Sequence, residues 1–122
     1  MSKDVIRLMH ALFLPNVDAC RPELLCPPTD VYRTHTGWLV KFELAGARPE
    51  DVHLEVLGQR LTLRGVRRDT TAAEELHCYR MEIAYSAFER SLELPCDLGR
   101  ADIATEYRDG MLLVRISTEA LT

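Results

Sequence analysis

From Thr29 onward apolar and polar residues alternate with a period of two, the spacing of strands that lay one face on a core. Trp38, Val40, Phe42 and Leu44 share one face, and Val52, Leu54 and Val56 share the next. The Gly58-Gln59 turn leads into a strand over 60–64 with Leu61 and Leu63 inward. Phe88, Leu92 and Leu94 form another apolar face, with Arg90 anomalously among them and Pro95 ending the run. Asp109-Gly110 joins strands over 103–108 and 111–116, the strongest short hairpin signal. Met111-Leu112-Leu113-Val114 is apolar on both faces, as a central, doubly covered strand is. A short strand over Asp30–Arg33 precedes these, and Leu76 to Ile83 reads as one more, carried out on a polar loop. About eight short strands with turn signals at sandwich spacing predict an all-β, immunoglobulin-like antiparallel sandwich.

Residues 1–28 follow a different rule. Val5, Ile6, Leu8, Met9, Leu12 and Phe13 recur at three- and four-residue steps, which predicts an amphipathic helix over 3–14 that Pro15 stops. Arg21 to Pro28 is proline-rich and irregular, a linker. The helix either packs on its own domain or serves as a mobile apolar arm that touches partners. The chain thus divides into an arm at 1–28, a sandwich at 29–116 and a short tail at 117–122.

At 122 residues the chain is one domain by size. A net charge of −4 gives no basic surface for nucleic acid. Only Lys3 and Lys41 are lysines, so the other basic residues are arginines, whose planar fork suits interface ion pairs. Cys20, Cys26, Cys78 and Cys96 are too few for a disulfide framework and lack the spacing of a zinc pair, so idle or buried thiols are expected and no metal. No secretory signal and no membrane-length apolar run occur, which points to the cytoplasm. No phosphate-binding glycine loop and no nucleophile elbow is present, and His10, His35, His53 and His77 are scattered. Neither an enzyme nor a cofactor is expected.

Several segments stand in the order of a family signature. Leu44-Ala45-Gly46-Ala47-Arg48-Pro49-Glu50-Asp51-Val52 is similar to L-P-G-x-x-x-E-D-[IV], and Gly58 to Gly65 to G-x-x-L-x-[IV]-x-G. Tyr79-Arg80-Met81-Glu82 with Phe88 to Pro95 resembles R-x-E … F-x-R-x-[FL]-x-L-P, and Asp109-Gly110-Met111-Leu112 resembles [DN]-G-V-L. These residues resemble the α-crystallin domain of the small heat-shock proteins, from about Thr29 to Ile116. Ala45, Ser86-Ala87, Thr105 and Met111 depart from the usual residues, all within steric tolerance.

The resemblance implies an ATP-independent holdase that binds exposed apolar segments of unfolding proteins. It implies client contacts at Val5, Ile6, Leu8, Met9, Leu12 and Phe13. It also implies a groove lined by Leu54, Val56, Ile103 and Thr105, whose plainer role is sandwich core. For the long 69–87 connection, the resemblance implies a homodimer by strand exchange through Leu76, Cys78, Tyr79, Arg80, Met81 and Glu82. Arg90 is expected in the same dimer interface, where it needs a carboxylate, Glu82 or Glu89. Ser117 to Thr122 holds no I-x-[IV] tripeptide and the arm is short, so a dimer or small oligomer is expected. The alternatives are a CS-type co-chaperone adaptor that binds a folded partner, and a specialised member that modulates a larger sibling's assemblies.

Overall fold

The computed structural model describes residues 24–71 and 74–118. They form seven strands: β1 Thr29–Arg33, β2 Gly37–Glu43, β3 Val52–Leu57, β4 Arg60–Val66, β5 Ala87–Glu93, β6 Asp102–Arg108 and β7 Met111–Ser117. One antiparallel sheet has the order β1-β2-β7-β6 and the other β3-β4-β5. The helix expected over 3–14, with its six apolar contact residues, lies outside the described residues.

The period-two pattern sets which face is inward. Val40 and Phe42 of β2 lie opposite Val114 and Leu112 of β7, and all four are in the core. Leu61 and Leu63 of β4 and Phe88 and Leu92 of β5 join the same core from the other sheet. Each such side chain contributes about 1.5–3 kcal/mol by leaving water. As the sequence predicts, β7 is central, and Leu112, Leu113 and Val114 are all buried. At the hairpin Asp109 and Gly110 take φ of 52° and 79°, the left-handed pair that a tight two-residue turn demands.

Two expectations fail. Leu76 to Ile83 is not a strand, and the chain from 67 to 86 is irregular where described. Alternation supplies side-chain faces but no ladder, and among the described residues no strand pairs with it. The expected thiol at Cys26 is instead a disulfide. Cys26 lies in an irregular, proline-rich stretch, where no period fixes the direction of a side chain or which groups it can reach. Cys78 and Cys96 are free, and burial pushes the Cys96 thiol above its ordinary range.

Candidate functional site

β3 and β6 are the outermost strands of different sheets, and each has one edge unpaired among the described residues. The short 3-10 turn Leu98–Arg100 runs into β6 and touches β3, so both edges come to one side of the sandwich. Leu54, Val56 and Ile103 are half-buried and pack against the core. Thr105 lies opposite fully buried Val114 yet is itself exposed. The four residues predicted for the groove therefore divide: three support the core from its rim, and Thr105 opens to solvent.

The second feature is on the other flank. Among the described residues β1 pairs only with β2, and Val31 and Tyr32 on it are exposed. Between β4 and β5 the excursion 67–86 exposes Leu76, Met81 and Ile83 and leaves Tyr79 at 100% exposure. Cys78, Arg80 and Glu82 between them are exposed as well. Tyr79, Met81, Ile83 and Tyr85 keep a period of two without a ladder to join. Ile83 and Tyr85 extend the predicted row; the same alternation in the sequence marks them.

The root of the excursion is tied down. The Arg67 main-chain N–H donates to the Ser86 carbonyl at 3.0 Å. Its Nε donates to the Ala84 carbonyl and its Nη1 to the Ala45 carbonyl, each at 3.0 Å. Arg68 Nε donates to Asp51 Oδ2 at 3.2 Å, and Arg48 holds the same carboxylate. The Asp69 carboxylate accepts from the Thr71 hydroxyl at 2.6 Å and from the Thr71 N–H at 3.0 Å. Those bonds hold it below the ordinary carboxylate range.

Arg90 faces inward, opposite Leu63. Its Nη1 donates to the Pro27 carbonyl at 3.2 Å and approaches Cys26 Sγ at 3.5 Å. Glu89, one of its two expected partners, points to the opposite face because neighbours on a strand alternate, and there it meets Arg64 Nε at 2.7 Å. Arg90 therefore joins β5 to the residues that lead into β1. Leu25 adds to this join, pairing in parallel with Phe88.

The outer face of the smaller sheet is polar. Arg64 bridges Glu55 at 2.8 Å and Glu89 at 2.7 Å, and Arg60 meets Glu93 at 3.1 Å. The hydrogen bond that Arg64 donates to Glu89, then the Glu55 charge, raise the Arg64 guanidinium above its ordinary value. The Arg64–Glu55 and Arg60–Glu93 pairs are exposed on both sides and contribute little to stability, whereas Glu89 is largely buried beneath Arg64.

The two-sheet antiparallel sandwich matches the fold of solved small heat-shock proteins. Residues 30–121 match the model of the Hsp20/alpha crystallin family, and the chain belongs to that family. The 18 kDa heat shock protein of Streptomyces albus G is 30% identical over 92 residues, 73% of this chain and 62% of that protein. Small heat shock protein C4 of Rickettsia felis is 24% identical over 94 residues, 77% of this chain and 58% of that protein. The chain spans about three fifths of the length of these curated relatives. Among solved structures, heat shock protein 16.0 from Schizosaccharomyces pombe superposes with a TM-score of 0.68 at 26% identity, covering 76% of this chain and 86% of that one.

Proposed function

We propose that this chain acts in the cytoplasm as an ATP-independent holdase, capturing apolar segments of unfolding proteins before they aggregate. Membership of the Hsp20/alpha crystallin family supports a chaperone role. The observation that carries the proposal is the exposed row Tyr79, Met81 and Ile83, apolar area that a single copy leaves in water. Covering such area is worth roughly 25 cal/mol per Å². Capture of unfolded chains then acts by mass action, with no nucleotide and no covalent step.

In this scheme the row is covered first by a second copy. Residues 76–83 pair along the open edge of β1 in the partner, and main-chain hydrogen bonds close both edges. Leu76, Cys78, Tyr79, Arg80, Met81 and Glu82 lie in that contact, and Arg90 steadies the lead into β1. The rim at Leu54, Val56, Ile103 and Thr105 takes an apolar segment from a client or a neighbour. Val5, Ile6, Leu8, Met9, Leu12 and Phe13 add client contacts. A CS-type adaptor would share the sandwich, but the apolar excursion favours self-association.

The test is native mass by light scattering, run beside heat aggregation of a client protein without nucleotide. A dimer or small oligomer that suppresses scattering is expected. A monomer that leaves the client to precipitate at the uninhibited rate ends the proposal.

A further inference from the structure

We propose that Arg67 is a positioning residue for self-association: it closes the root of the 67–86 excursion and fixes the direction in which Tyr79, Met81 and Ile83 meet a second copy. This rests on the dimer proposed above. The three bonds of Arg67 join both ends of the excursion to each other and to the 44–47 loop. A methyl group added at Gly46 would lie 3.5 Å from Arg67 Cδ, so the arginine stem runs close over that glycine. The loop that receives the clamp is itself held. The Leu44 N–H donates to the Gly110 carbonyl at 2.7 Å, and its carbonyl accepts from Tyr107 at 2.6 Å. Arg68, the next residue, is fastened in turn to Asp51.

Carbonyls, not carboxylates, receive the Arg67 side chain. A planar fork reaches two of them in different directions, whereas a lysine offers one compact charge on a flexible stem. The described hydrogen bonds between 69 and 83 are local, from Thr71 to Asp69 and from Glu74 to Thr71. With the clamp gone, the excursion swings on its two roots, and association must order it first.

The experiment compares the full chain with Arg67→Ala and Arg67→Lys. It reads the dimer dissociation constant by sedimentation, the thermal midpoint, and the rate of trypsin cleavage after exposed Arg80 in dilute, monomeric protein. A dissociation constant raised about tenfold, faster cleavage and an unchanged midpoint are expected for both variants. Unchanged association together with unchanged cleavage overturns the role of Arg67. If the unsubstituted chain is monomeric at every concentration, the dimer falls, and cleavage alone decides for or against the clamp. Should Arg67→Ala fail to fold, Arg67→Lys carries the comparison.

Discussion

The Tyr107 hydroxyl in β6 donates a 2.6 Å hydrogen bond to the carbonyl of Leu44, 63 positions earlier in the chain. It pins the loop after β2 to the edge of the larger sheet, beside the carbonyl that receives Arg67. Burial, then the Glu43 charge, raise the phenol above its ordinary value of 10.0, with Arg67 opposing. Only the neutral phenol donates this bond. Its contribution is therefore complete below about pH 10 and fades as pH climbs through the folded-state value. Tyr107→Phe is expected to lose about 0.5–1.5 kcal/mol. Urea unfolding across pH 7 to 11 checks both points: the gap between the two proteins holds at neutral pH and narrows in alkali.

Gly65 is a steric requirement of the β4–β5 pair. A methyl group there would run into the Asp51 carbonyl oxygen and sit 2.5 Å from Phe88 Cζ. Phe88 is a core residue and Asp51 ends a 3-10 turn, so neither yields freely. Gly65→Ala is expected to destabilise by about 1–3 kcal/mol, measured by denaturant titration. A midpoint equal to that of the unsubstituted chain contradicts this packing.

The exposed row separates association from folding. Met81→Asp and Ile83→Asp place charge on side chains that touch little within one copy. Folding stability is expected to move by no more than about 0.5 kcal/mol. Self-association is expected to weaken about tenfold or more, read as native mass against concentration. Retained dimers in both variants move the interface elsewhere.

Arg64 stands between two glutamates, Glu55 and Glu89. Arg64→Glu sets three like charges side by side on adjacent strands, and the urea midpoint is expected to fall. Because Arg64 and Glu55 are more than half exposed, the fall is expected to shrink as salt is added. A salt-independent loss assigns the effect to packing instead.

The strands were legible because each inward face repeats at every second residue, and Asp109-Gly110 named its own turn. Arg90 was legible as an oddity, since it breaks an apolar face, but its acceptor at Pro27 was not. That acceptor lies 63 positions away in a stretch without periodicity. The alternation from Tyr79 to Tyr85 was equally plain, yet a ladder needs a neighbouring strand, and none lies beside it among the described residues. Arg67 left no signal: an arginine opening a polar loop reads like any solvated one until the carbonyls around it are placed. The Cys26 disulfide is likewise a matter of proximity, which spacing along an irregular stretch does not encode.

Leu25 clasps the rim of β5, giving its N–H to Ala87 and taking the N–H of Glu89. A foreign ribbon arriving there finds those positions already taken. Among the described residues the β3 border of the smaller layer has no such clasp, so strand addition meets a block at 87–89 on one side and none on the other.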